Sequence, residues 1–301
     1  MHLIPIMSQN VVEYEQNQFG TKATVVGEIT PSDIGEMRRF LVQDLDLNYA
    51  KGWVGTDLSF LPELPWLKSL HVVHREIQTV EPIHCLRELR SLNVVTYCRT
   101  PIRLEQFPFL ESFGLDPWRS GSESVFDCKT LKDLFIYSYT GKSSAPFKSL
   151  ANLECLQLLN CSLQEIADFA SLNKVLKMRL TYFRNLASLD GIEGMTGLEE
   201  LTIAKARGVH SLTPLCALKH LRVVNLDSLG VLDTISGFDS AENLISFGMD
   251  ETEIADGDLS VMLRLPQILF IGYPEKRHYR PRKSELRREL SKHSRYEVVV
   301  A

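Results

Sequence analysis

Apolar residues fall along most of this chain in one recurring phrase, Leu-x-x-Leu-x-Leu. Its first positions are Val42, Leu67, Leu89, Leu110, Leu131, Leu153, Val175, Leu198, Leu221, Leu244 and Ile268, 21 to 25 residues apart. The second and third apolar positions lie two apart, as in Leu70 and Val72 or Leu201 and Ile203. That is strand spacing, with the residue between them on the other face. After the phrase the apolar residues come about every three, as in Ile77, Val80, Ile83 and Leu86. This suits tight turns and 3₁₀ segments better than a long α-helix. Each unit therefore reads as a short strand and a compact return. One unit cannot bury its apolar edge alone, but stacked neighbours bury a continuous core, so a period in this range predicts a solenoid.

The pattern resembles the leucine-rich-repeat family, close to its short, 22-residue, internalin-like type. The resemblance covers residues 42–273. It implies an α/β leucine-rich-repeat solenoid, right-handed and curved, with a parallel sheet on the concave face. The chain departs from the family three residues after each phrase, where Asn, Cys or Thr usually bonds neighbouring backbones. Here that place holds Arg75, Tyr97, Trp118, Tyr139, Cys161, Phe183, Ala206, Leu229 and Thr252, of which Cys161 and Thr252 fit. Less regular loops are expected after the strands, above all in 115–130 and 137–150, where Pro117, Gly121, Gly141 and Pro146 suggest longer surface loops.

Both ends of a solenoid need covering. Residues 1–41 read as an N-terminal cap. A strand pair is expected around Phe19-Gly20, then a helix starting at Thr30-Pro31-Ser32-Asp33 with Ile34, Met37 and Leu41 on one side. Residues 274–301 read as a C-terminal cap. There Leu286 and Leu290, four apart, lie against the last repeat, and Tyr296–Val300 form a final strand. From Glu275 to Glu297 the tail carries nine Lys or Arg against four Glu. A solvated helix face explains this better than an anion-binding patch, because the whole chain has a net charge of −5.

Met1–Met7 lacks the basic flank and apolar run of a secretory signal, and no stretch of 18 apolar residues occurs. The six cysteines form no Cys-x-x-Cys pair. Free thiols in a reducing compartment, hence a cytoplasmic location, are expected, although export without a cleaved signal stays open.

No phosphate-binding glycine loop, nucleophile elbow or His-Glu-x-x-His is present. His71 and His74 lack a third ligand in register, so no metal or other cofactor is expected. Cys155 and Cys161 have no His in adjacent repeats to act as a base and read as structural. Acidic pairs such as Asp44 and Asp46 should be solvated on an open sheet. The chain does not read as an enzyme.

Strand alternation places another set of side chains outward. Early repeats are polar and acidic there, and late repeats offer Asp227, Asp250 and Glu251. The middle repeats offer Phe135, Tyr137, Gln157, Lys177, Arg179 and Tyr182. Tyr97, Trp118, Arg119, Tyr139 and Phe183 stand near the adjacent strand ends; Trp118 and Phe183 either join this surface or pack inward over the loops. Eleven strands at about 4.8 Å give a sheet roughly 50 Å wide, which suits a protein partner and not a small molecule. Aromatics and Arg are the usual anchors of such interfaces. The expected function is a monomeric, non-enzymatic protein-protein interaction module. The partner-binding residues would be Phe135, Tyr137, Gln157, Lys177, Arg179, Tyr182, Asp227 and Asp250. No nucleic acid or membrane is expected as partner. The alternatives are an immunity-type inhibitor that neutralises one toxin or enzyme, or a secreted effector.

Overall fold

The computed structural model describes residues 11–293 and 298–301. The chain divides into two compact units, residues 1–134 and 135–301.

The first unit opens with an antiparallel hairpin, β1 (Val11–Asn17) and β2 (Gly20–Val26), closed where Asn17 pairs with Gly20. Gly20 has φ +120°, a conformation that side chains other than hydrogen rarely adopt. Helix α1 (Pro31–Arg39) starts with a full capping box. The Asp33 N–H donates to Thr30 Oγ1 at 3.3 Å, and the Thr30 N–H donates to Asp33 Oδ2 at 2.8 Å. Ile34 and Met37 are buried as expected, but Leu41 is not. It sits past the helix end with φ +47° and 53% exposed, so the turn carries it away from that face.

Strands β3 (Val42–Asn48), β4 (Ser69–Val73), β5 (Ser91–Val95) and β6 (Ser112–Asp116) follow, each parallel to the one before. Strand β2 joins β3, also in parallel. Equivalent phrase positions pair across the strands: Leu45 with Leu70, Leu70 with Leu92, Leu92 with Phe113. All are at most 1% exposed. Burying one such side chain contributes about 1.5–3 kcal/mol, and each strand completes the burial of its neighbour.

β7 (Asp133–Tyr137) holds the boundary at Leu134. The second unit continues with β8 (Cys155–Leu159), β9 (Lys177–Thr181), β10 (Glu200–Ala204), β11 (Val223–Leu232), β12 (Ser246–Ile254), β13 (Phe270–Gly272) and β14 (Val299–Val300). From β8 onward these pair in chain order and in parallel. Helix α2 (Lys283–His293) buries Leu286 and Leu290. Its Arg287 Nε donates to the Val300 carbonyl at 3.0 Å, and Lys292 pairs with Glu289, so part of the basic tail serves local contacts. Of the expected last strand, Tyr296 and Glu297 lie outside the described residues.

The returns are 3₁₀ segments, such as Glu81–Cys85, Ala167–Ser171 and Thr213–Ala217. The two segments expected as long loops keep the same plan. Glu123–Asp127 is 3₁₀ with Val125 and Phe126 buried, and Ala145–Ser149 is 3₁₀ with Phe147 buried. Irregular backbone is confined to short stretches before them.

In place of a polar ladder stands a mostly apolar spine. Tyr139, Cys161, Phe183, Ala206, Leu229 and Thr252 are all buried, as is Trp118 in the first unit. Packing inward is thus the arrangement of Trp118 and Phe183. Arg119, expected near the surface, is also buried. Its guanidinium donates to the carbonyls of Cys98 at 2.7 Å, Thr96 at 3.2 Å and Thr100 at 3.3 Å. It satisfies loop carbonyls that a ladder side chain would otherwise meet.

A second periodic feature runs beside the spine. Ser138, Asn160, Tyr182, Lys205, Ser228 and Glu251, each seven residues after the first phrase position, all have positive φ, between +44° and +62°. A left-handed residue other than Gly costs roughly 1–2 kcal/mol. The ladder holds it in place: the N–H of Ser138, Asn160, Tyr182 and Lys205 each donates to a carbonyl of the next repeat at 2.8–2.9 Å.

Candidate functional site: the outward face of the sheet

The parallel register sorts the outward side chains of the second unit into rows. Cys155, Lys177 and Glu200 are neighbours on β8, β9 and β10, and Gln157, Arg179 and Thr202 form the next row. With Met178 these six line a shallow depression of about 270 Å³. Three of the residues expected to bind a partner, Gln157, Lys177 and Arg179, are thereby brought together. Lys177 Nζ lies 2.9 Å from Glu200 Oε1, and the hydrogen bond it donates to Glu200 raises the lysine pKa above its ordinary value. Arg179 is exposed and meets no acidic side chain among the described residues. Phe135 and Tyr137 stand half-buried on β7.

Tyr182, Asp227 and Asp250 fall elsewhere. Tyr182, 42% exposed, stands at the end of β9 in its left-handed turn. Its hydroxyl accepts from Lys205 Nζ at 2.7 Å, and the ammonium lies 4.3 Å from the ring centroid. The bond to Tyr182 raises the Lys205 pKa. Asp227 accepts from the Ser228 hydroxyl at 2.7 Å, and Asp250 accepts from the Glu251 N–H at 2.9 Å. Tyr182 shares an opening of about 460 Å³ with Arg184, Lys205, Arg207, Ser228 and Glu251.

Arg184, Lys205 and Arg207 were not among the residues expected from sequence. A signal for them exists. The in-out alternation continues past each strand, so exposed residues flank the buried spine position: Tyr182 and Arg184 around Phe183, Lys205 and Arg207 around Ala206.

The early acidic pair departs from the expectation of a solvated surface. Asp44 and Asp46 are 7% and 3% exposed and not solvated. Asn17 Nδ2, from the hairpin, donates to Asp44 Oδ2 at 2.6 Å. Asp46 meets Lys51 Nζ at 2.6 Å and His71 Nδ1 at 3.2 Å. Burial pushes the Asp46 carboxyl up, but His71 and Lys51 outweigh it and leave the pKa below the usual carboxylate value. His74 is turned to other work: its Nδ1 accepts from the Glu76 N–H, and its ring meets Trp53 edge-on. Cys161 is buried, and burial pushes its thiol up to about 12, which removes it as a nucleophile.

Strand, 3₁₀ return and leucine register give the chain a leucine-rich-repeat fold like that of the internalins. An internalin (InlF) from Listeria monocytogenes aligns with a TM-score of 0.67 at 20% identity, covering 83% of this chain and 72% of that one. The PEPR1–AtPEP1 structure aligns at 0.55 and 14% identity, covering 85% of this chain and 40% of that one. A TDR receptor aligns at 0.55 and 12% identity, covering 80% and 45%. At these identities the likeness is one of fold. By sequence the chain matches no family profile and no curated protein. Among the described residues no helix is long and apolar enough to cross a membrane.

Proposed function

We propose that the chain is a non-enzymatic protein-protein interaction module that holds a protein partner on the outward, concave face of its sheet. The observation that carries this reading is the β8–β10 grid. It presents a guanidinium, Arg179, that meets no acidic side chain among the described residues, within a ring of polar and thioether side chains, with two aromatics on β7. A shallow depression of about 270 Å³ is too small for a typical ligand pocket, while Arg with Tyr and Phe is the usual make-up of an interface anchor. Residues 42–273 carry the surface, and residues 1–41 and 274–301 close its ends. A cytoplasmic location is part of the proposal, supported by free thiols at Cys85, Cys98, Cys128, Cys161 and Cys216.

The test replaces Tyr137 by Ala and Arg179 by Glu in one chain. Partner capture from native cells is then compared with wild type by affinity purification and mass spectrometry. Loss of a specific protein supports the reading. Unchanged capture by the folded double variant removes this face from consideration.

A further inference from the structure

The opening past the ends of β9 and β10, beside Ser228 of β11 and Glu251 of β12, is built from two repeat positions, seven and nine residues after the first phrase position. They place Tyr182 and Arg184, then Lys205 and Arg207, then Ser228 and Gly230 in successive repeats. Three cations and one carboxylate, Glu251, line about 460 Å³. One oxygen of that carboxylate lies 2.8 Å from the Ser228 hydroxyl, whose single proton it shares with Asp227. Gly230 keeps the next position clear: a Cβ there would meet nothing within 4 Å.

Several surface cations elsewhere meet carboxylates one repeat away. Arg90 lies 3.2 Å from Glu111, Lys177 2.9 Å from Glu200 and Arg264 2.6 Å from Asp239. Arg184 and Arg207, like Arg179, have no such carboxylate among the described residues. They occupy the same position in neighbouring repeats, both are exposed, and neither forms an ion pair or hydrogen bond among the described residues. Like charges side by side are unfavourable unless an anion joins them. A guanidinium presents a planar fork that matches a carboxylate.

We propose that this opening binds the carboxylate side chains of an acidic peptide segment, held between Arg184 and Arg207 with Lys205 beside them. The inference rests on reading the chain as a protein-binding module and names the chemistry of the segment it takes.

The experiment measures binding of a fluorescent oligoglutamate peptide to the full chain by anisotropy at low ionic strength, where such attraction is least screened. Three double variants are compared with wild type: Arg184→Glu with Arg207→Glu, Arg184→Gln with Arg207→Gln, and a control of equal charge change, Lys174→Glu with Lys219→Glu. Wild type and the control should bind alike, and both arginine variants should bind at least tenfold more weakly with unchanged thermal melts. The Gln pair keeps the test valid if charge reversal unfolds the chain. Absence of wild-type binding overturns the proposal, as does equal binding by the arginine variants and the control. Tyr137→Ala with Arg179→Glu should bind the peptide as wild type does. Loss there instead would place the acidic segment on the sheet face, overturning this inference while leaving the proposed function standing.

Discussion

The backbone N–H of Leu229 donates to Oγ1 of Thr252, one repeat further on, at 3.1 Å. The same hydroxyl donates to the Asp250 carbonyl at 2.9 Å, and Thr252 is 2% exposed. This is a rung of polar ladder in a spine that is otherwise largely apolar. Thr252→Val keeps the shape and strands both backbone groups, which should cost about 1–3 kcal/mol in chemical denaturation. Thr252→Ser should stay close to wild type. Equal stability of the Val variant would show that the rung contributes nothing.

Phe183 occupies the place equivalent to Thr252 three repeats earlier and is fully buried. Phe183→Ala should lose about 3–5 kcal/mol, and Phe183→Leu about 1 kcal/mol, because only the first leaves a large cavity. Tyr182→Ala, one residue away and exposed, should move stability far less. Denaturant midpoints of the three variants check this ordering.

The left-handed turns predict an inverted preference. Ser138 has φ +62°. Ser138→Gly should be more stable than Ser138→Val by about 1–2 kcal/mol, since a β-branched residue fits that conformation worst. Thermal melts with Val at or above Gly would contradict the backbone assignment.

Arg119 is buried against three carbonyls, so Arg119→Met should cost about 3 kcal/mol despite its apolar replacement. A loss below 1 kcal/mol, roughly the value of an exposed ion pair, would show that water replaces the guanidinium there.

His84 predicts acid sensitivity. It is buried; its Nε2 accepts from the Arg103 N–H at 3.0 Å, and its Nδ1 lies 3.2 Å from the Glu81 carbonyl. Burial and Arg103 hold its pKa below the ordinary 6.5, against the pull of Glu81 and Glu105. Below pH 6.5 the unfolded chain therefore binds a proton that native His84 refuses, so this residue's contribution to stability falls as pH falls. The loss grows until the folded pKa is reached. Melting temperatures at about pH 7.5 and about pH 5 should differ more for wild type than for His84→Gln. Equal shifts would assign the acid response to other groups.

Phrase spacing was enough to expect strands, 3₁₀ returns and the stacking of leucine on leucine, because each follows from periodicity. It also placed Gln157, Lys177 and Arg179 on one face, since alternation along a strand is local geometry. The fate of Asp44 and Asp46 was not legible. Their burial depends on Asn17, Lys51 and His71, which arrive from other elements. The inward packing of Trp118 and Phe183 was likewise open, because an aromatic at a position usually polar fits either side until the neighbouring returns are set.

What this sequence determined by itself is the repeat: a two-residue alternation inside a period of 21 to 25 residues leaves one way to bury every leucine, by stacking the units. What the tertiary structure alone decided is which charges meet. Arg184 and Arg207 are 23 residues apart along the chain and share one opening because parallel register sets equal positions of successive repeats side by side. That neighbour relation lies across the strands, where periodicity along the chain does not reach.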